Sequence, residues 1–344
     1  LRHFLLVITL LALCLSAFDV QAQMKVRSAK TAVTSAKIYM KHEKWQDALN
    51  VIEQGLELDP ECVDLYMIQG DAYAELAKYA EADTAFKKAF ELNISKAEEI
   101  EQSKQRFFRP LMRDGLKALK NEQPDSAATF FNNVVALCPE KPEGYINLGI
   151  ICFNRDDFDC AISNFRQAKM IDPQNESTLM NLARSYSLAG QADSALVVYQ
   201  EILVLKPDDF HTKNAIATIH LNDRKYDEAC AIYDSLITEG VDDANVLYNS
   251  GVAYFQTKQY EKAIGSYEKM LELVPDDQDA LWNISMAYFQ VNEYEKSIPN
   301  LEALTLVEPD NPEYWNFLAI AYVQTNQQDK AGAAESKYKE LSGD

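Results

Sequence analysis

Histidine and cysteine are the side chains best suited to metal binding or nucleophilic chemistry, and in this sequence their spacing supports neither. His3, His42, His211 and His220 are scattered along the chain, whereas a site built from sequence neighbours shows ligands at short, fixed spacing. Neither a Gly-rich phosphate loop, nor His-Glu-x-x-His, nor Gly-x-Ser-x-Gly occurs. The cysteines Cys14, Cys62, Cys138, Cys152, Cys160 and Cys230 are irregularly spaced, which reads as small apolar side chains at packing positions. Whether Cys152 and Cys160 bridge a helical hairpin in an oxidising compartment stays open at this stage. No catalytic, cofactor-binding or metal-ligating residue is assigned, and none of the motifs calls for a cofactor.

The chemistry that does recur is that of recognition. Asn147, Asn181, Asn249 and Asn283 stand 34 residues apart or twice that. A side-chain amide both donates and accepts, so such a ladder suits the backbone of an extended peptide. Near the C-terminus a second set recurs at the same interval: Tyr248, Val252 and Phe255, then Trp282, Met286 and Phe289, then Asn316, Ile320 and Val323. These residues lie off the face that would pack two helices together, where a soluble helix is expected to be polar, so an apolar and aromatic row there points to a binding patch.

The elements that position these residues follow from the same period. Prolines at 139, 173, 207, 275 and 309 keep an interval of 34, with Val241 at the missing place. In this register, small residues recur at the eighth position (Gly149, Ala183, Ala217, Gly251, Ser285, Ala319) and at the twentieth (Ala161, Ala195, Ala229, Ala263, Ser297, Ala331). Aromatic residues recur at the eleventh (Tyr186, Tyr254, Tyr288, Tyr322) and the twenty-fourth (Phe165, Tyr199, Tyr233, Tyr267). Positions 4, 7, 8 and 11 share one face of a first helix, and 20, 24 and 27 one face of a second. The small residues let the two backbones approach, the rings fill the space around them, and each hairpin must stack on its neighbours to bury its face.

This pattern resembles the tetratricopeptide repeat. The resemblance implies an all-α fold, a right-handed α-solenoid superhelix of about nine stacked helix-turn-helix repeats, whose first helices line a concave groove at positions 2, 5, 6, 9, 12 and 13. The partner-binding groove would then comprise Asn147, Asn181, Tyr248, Asn249, Val252, Phe255, Trp282, Asn283, Met286, Phe289, Asn316 and Ile320. Relatives that hold a C-terminal carboxylate do so with lysine at positions 2 and 5, and no lysine stands at either position in the six repeats from residue 142 onward. The expected partner is therefore a protein or extended peptide that is neutral, apolar or basic.

Residues 1–22 read as a signal peptide, with Arg2 and His3 before an apolar run and cleavage after Ala22. The expectation is export to the periplasm or outside the cell, with no membrane span once the signal is removed. After a linker at 23–28, two repeats at 29–96 form an N-terminal block. An inserted helical segment at 97–107, opened by a capping box at Ser95 and Glu98 and ending before Pro110, would break the stacking; seven repeats at 108–344 follow, the last a cap. Pro299 is expected to kink its helix. A net charge of −20, from 53 acidic and 33 basic residues, disfavours nucleic acid as a partner, and runs such as Asp276-Asp277 read as solvated loops. The function expected is an exported, non-enzymatic scaffold that binds protein or peptide. Alternatives are a structural subunit of an envelope assembly, docking through its convex face or the insert, and an enzyme or small-ligand receptor. The oligomeric state is left open.

Overall fold

The computed structural model describes residues 26–343, so the signal-peptide reading lies outside the described residues. The chain divides into two compact units, residues 1–173 and 174–344. Within the first, four hairpins pair α1 (Ala29–Lys41) with α2 (Trp45–Leu58), α3 (Val63–Glu75) with α4 (Tyr79–Leu92), α5 (Ala97–Lys120) with α6 (Pro124–Leu137), and α7 (Pro142–Phe153) with α8 (Phe158–Ile171). Five follow in the second: α9 (Glu176–Leu188) with α10 (Ala192–Leu205), α11 (Phe210–Asn222) with α12 (Tyr226–Thr238), α13 (Ala244–Gln256) with α14 (Tyr260–Leu273), α15 (Gln278–Gln290) with α16 (Tyr294–Val307), and α17 (Pro312–Gln324) with α18 (Gln328–Ser342). Among the described residues there is no strand.

Close approach within a hairpin has the predicted cause. A Cβ on Gly251 would come within 2.5 Å of the Tyr267 ring, and one on Gly149 within 2.7 Å of Phe165. Burying each such ring contributes roughly 2–3 kcal/mol, and Phe86, Phe131, Phe165 and Tyr267 are all buried. Each hairpin turn carries one residue in the left-handed region: Glu43, Ala77, Glu122, Asp156, Gly190, Arg224, Lys258, Asn292 and Asn326. Glycine meets that conformation without strain, and only Gly190 supplies it.

Two periodic devices hold the second unit in register. Asn175, Asp209, Asp243, Asp277 and Asn311 cap the first helices, each side chain accepting a backbone N–H; Asp277 accepts from Ala280 at 2.8 Å. Asp276 is exposed and Asp277 partly so in the loop before α15, and Asp277 adds to that a helix cap of the kind worth about 1 kcal/mol. Tyr254 donates to Asp234 at 2.8 Å and Tyr288 to Glu268 at 2.7 Å, while Tyr322 donates to Glu302. Lys262, Lys296 and Lys330 lie over those three rings at 5.1, 5.7 and 5.1 Å from the centroids. Each triad ties a first helix to the second helix of the preceding repeat.

The insert differs from the reading given above. Residues 97–107 are helical, but they form the first half of the 24-residue α5, which runs on through Pro110. The helix is entered not by a Ser95 cap but through a short 3-10 turn, Ile94–Lys96, whose start is capped by Asn93 accepting from the Ser95 N–H at 3.0 Å. Nor is the stacking broken there: one buried cluster joins Met67 and Phe86 to Ile100, Phe108 and Leu111 and on to Val134 and Leu137. That burial offsets the roughly 3 kcal/mol a mid-helix proline costs. Lys104 is buried at the junction, its amine 2.7 Å from Asp83 and 2.9 Å from Glu140. The chain's division falls instead after Pro173. α16 continues through Pro299, and a disulfide joins Cys152 of α7 to Cys160 of α8.

Candidate functional site

The first helices of the last three hairpins carry most of the predicted contact residues. Tyr248, Asn249, Val252 and Phe255 lie on α13, Trp282, Asn283, Met286 and Phe289 on α15, and Asn316 and Ile320 on α17. All are partly exposed; Ile320 is 38% and its neighbour Val323 49% accessible. Asn181 lies on α9 of the same unit, whereas Asn147 lies on α7 of the other.

The aromatic members tile from one repeat to the next. The Trp282 ring sits 5.2 Å from Tyr314 and 5.2 Å from Phe317, the latter edge-on. Phe289 meets Phe317 at 5.3 Å and Tyr294 at 5.1 Å, both edge-on. Tyr248 stands 6.1 Å from the buried Tyr267 ring. Offset and edge-on pairs of this kind contribute about 0.5–1.5 kcal/mol each beyond area burial, so the row is anchored in the core while part of it stays accessible. Sequence reasoning left out Tyr314 and Phe317. Phe317 stands where asparagine recurs, and Tyr314 stands at a position that is otherwise Gly, Thr, Val or Ala; a ring replacing a small residue or an amide was the available signal.

The asparagine ladder is largely engaged within the chain. The Asn283 amide donates to the Tyr248 hydroxyl at 3.1 Å, Asn249 donates to Thr218 at 3.5 Å, and Asn147 turns back to the Glu143 carbonyl at 2.8 Å. Two of these bonds link adjacent first helices, so the amides set the spacing of the face.

Carboxylates rim the aromatic end. Asp279 and Glu313 are exposed in the first turns of α15 and α17. Burial and then the Asp279 carboxylate push the Tyr248 hydroxyl above its ordinary value, and burial, Glu308 and Asp279 do the same to Tyr314. By contrast, the first-helix side of the N-terminal hairpins is cross-paired: Arg106 reaches Asp71 at 3.4 Å and Glu75 at 3.2 Å.

His211 and His220 stand nine residues apart on α11, about 13 Å along its axis. Burial pushes the Cys138 thiol up to about 12, which leaves it protonated and unreactive. Among the described residues no group of His, Cys, Asp and Glu is placed to hold a metal ion, and no helix is long and apolar enough to cross a membrane.

Profiles of the tetratricopeptide repeat match residues 254–321, residues 33–93 and 214–278, and residues 142–175. The chain is 23% identical over 165 residues to the BBSome complex member BBS4 homolog of Drosophila melanogaster, covering 48% of this chain and 32% of the relative. It thus spans about a third of that protein's length. Its fold is similar to the C-terminal part of a TPR repeat-containing protein from Cytophaga hutchinsonii, with a TM-score of 0.56 at 21% identity over 67% of this chain and 95% of the other. A tetratricopeptide repeat protein from Parabacteroides merdae gives 0.50 at 14% identity, over 68% and 93% respectively. With a 34-residue hairpin frame, the matching profiles and nine helical hairpins among the described residues, the chain belongs to the tetratricopeptide-repeat family.

Proposed function

We propose that the chain is an exported, non-catalytic scaffold that binds a segment of a partner protein on the first-helix face of residues 244–324. One observation carries this reading. After hairpin packing and repeat stacking are complete, an aromatic and aliphatic row from Tyr248 to Ile320 remains partly exposed on the first helices of three successive hairpins. Rigid rings with an accessible edge are the side chains that dominate binding energy at protein interfaces. The leader-like residues 1–22 support export.

A photo-crosslinking residue in place of Met286, on the row, or of Glu295, on the second-helix side, tests the site. Cross-links to one defined protein from Met286 that vanish with Trp282→Ala, and none from Glu295, are expected. Equal yields from both positions would remove the row from the account.

A second reading has its own observation. Arg109, Arg113, Lys117 and Lys120 are exposed on α5, and their spacing of four, four and three sets them on one helical face. Arg113 is paired with Asp114 at 2.8 Å, and the stripe still presents Arg109, Lys117 and Lys120 in a chain of net charge −20, which supports docking of the N-terminal unit into a larger assembly. Cross-links that cluster on α5 rather than α15 would favour it.

A further inference from the structure

The charges around the row narrow the chemistry of its partner. Helices α13, α15 and α17 contain no lysine, arginine or histidine. The cations of residues 244–324 are Lys258, in a hairpin turn, and Lys262, Lys269 and Lys296, on second helices. Lys262 is held by Asp234 at 2.9 Å and Lys296 by Glu293 at 2.7 Å. On the first-helix side, Asp279 and Glu313 are exposed one repeat apart, beside Trp282 and Tyr314. The stretch therefore keeps its lysines on a turn and on second helices, where Lys262 and Lys296 cover the buried Tyr254 and Tyr288 rings, and carries none on the first helices that hold Tyr248, Trp282 and Phe289 with the exposed Asp279 and Glu313.

We propose that this face takes a cationic amphipathic segment of a partner protein, its apolar side on Trp282, Met286 and Phe289 and its lysines or arginines against Asp279 and Glu313. The proposal rests on the reading above that the row is a binding surface. Aromatic faces attract cations, and a carboxylate beside a ring strengthens that preference by simple Coulomb attraction, which a nearby lysine would cancel. An acidic segment would meet carboxylates and no cation, and a like-charge encounter both slows association and weakens the complex. A neutral apolar segment would leave the rim unmatched, and nothing in its chemistry accounts for the absence of cations from the first helices of three successive hairpins.

Three synthetic 18-residue peptides with the same helically spaced leucines, carrying lysine, glutamine or glutamate at every polar position, provide the test by fluorescence anisotropy on the full chain. Four proteins are compared: the unaltered chain, Asp279→Lys with Glu313→Lys, the charge-matched control Glu261→Lys with Glu295→Lys on second helices, and Trp282→Ala. Circular dichroism checks that each is folded. The lysine peptide is expected to bind, to weaken about tenfold or more on reversal of Asp279 and Glu313, and to change no more than about threefold with the control pair, since rim charges act locally at physiological salt. The glutamate peptide is expected not to bind. Equal losses from the two charge reversals would mean diffuse attraction and would overturn the proposal. Glutamine-peptide binding as tight as the lysine peptide's, lost with Trp282→Ala but indifferent to Asp279 and Glu313, would overturn the cationic partner while leaving the row as a binding surface. Binding of no peptide, or binding untouched by Trp282→Ala, would overturn both.

Discussion

Two stretches built on one hairpin frame use their remaining positions in opposite ways. Around the first half of α5, charges are paired within the protein: Lys104 sits between Asp83 and Glu140, Arg106 reaches Asp71 and Glu75, and Lys141 lies over the Phe108 ring at 4.9 Å. Helices α13, α15 and α17 carry no cation of their own; lysines of the second helices cover Tyr254, Tyr288 and Tyr322, while Trp282 and Phe289 pair with rings of the next repeat. The frame residues decide that hairpins form and stack. The residues outside the frame decide what a given stack is for, locking an eleven-residue extension into place in one stretch and offering a surface in the other.

The largest way to break this contrast is at Lys104. Lys104→Ala leaves the Asp83 carboxylate buried with only Lys87 beside it, and a loss of about 3 kcal/mol is expected, at the lower end for a broken buried pair because Lys87 remains. Hydrogen exchange should rise in α4, α5 and α6 and stay unchanged in residues 244–324. Burial works against the charged Lys104 amine, but its hydrogen bonds to Asp83 and Glu140 outweigh it and hold the amine above its ordinary value. Its contribution is therefore fully present below about pH 10.4, the value in the unfolded chain, and lost as pH rises through the higher folded value. The stability difference between the native chain and Lys104→Met, followed by urea unfolding, should shrink over that alkaline window.

Next in size is Gly251→Val. Its side chain would press on the Tyr267 ring, and overpacking of this kind costs about 2 kcal/mol. Because Tyr248 leans on Tyr267, peptide binding should weaken along with thermal stability. A cost below about 0.5 kcal/mol would show that the hairpin is less tightly packed than its geometry implies.

Smaller still is the stability effect of Trp282→Ala, about 1–2 kcal/mol from lost contacts with Tyr314 and Phe317; guanidinium unfolding would measure it. Smallest are the left-handed turns. Lys258→Gly should gain up to about 1 kcal/mol and Gly190→Ala should lose a similar amount, read as opposite shifts of melting temperature.

The frame was legible because helix packing repeats its small and aromatic residues at fixed offsets, so Gly251 and Tyr267 could be paired from their spacing alone. The placement of Trp282 and Phe289 on one first helix, partly exposed, followed from the same offsets. The continuity of α5 was not legible. Pro110 suggests a stop when local preference alone is weighed, and the burial of Phe108 and Leu111 that carries the helix through it depends on α4 and α6. Lys104 meets partners 21 and 36 residues away, a pairing with no period to betray it. The Tyr254, Asp234 and Lys262 triad does recur at Tyr288 and Tyr322, and its constant spacing was readable had side chains outside the packing frame been aligned. That Asn283 and Asn249 bond to neighbouring helices needs their geometry, since an amide offered to a peptide and one used within the chain look alike in sequence.

The most direct test compares Trp282→Ala with Leu306→Ala in calorimetric titration with the lysine-bearing peptide. Leu306 is 84% exposed near the C-terminal end of the second helix α16, so it is the more accessible apolar side chain but lies off the row. Loss of Trp282 should weaken binding by about thirtyfold or more, as for an interface anchor, with Leu306→Ala indistinguishable from the native chain. Equal weakening by the two substitutions, or a larger effect at Leu306, would contradict the claim that the first-helix row is where this protein makes contact.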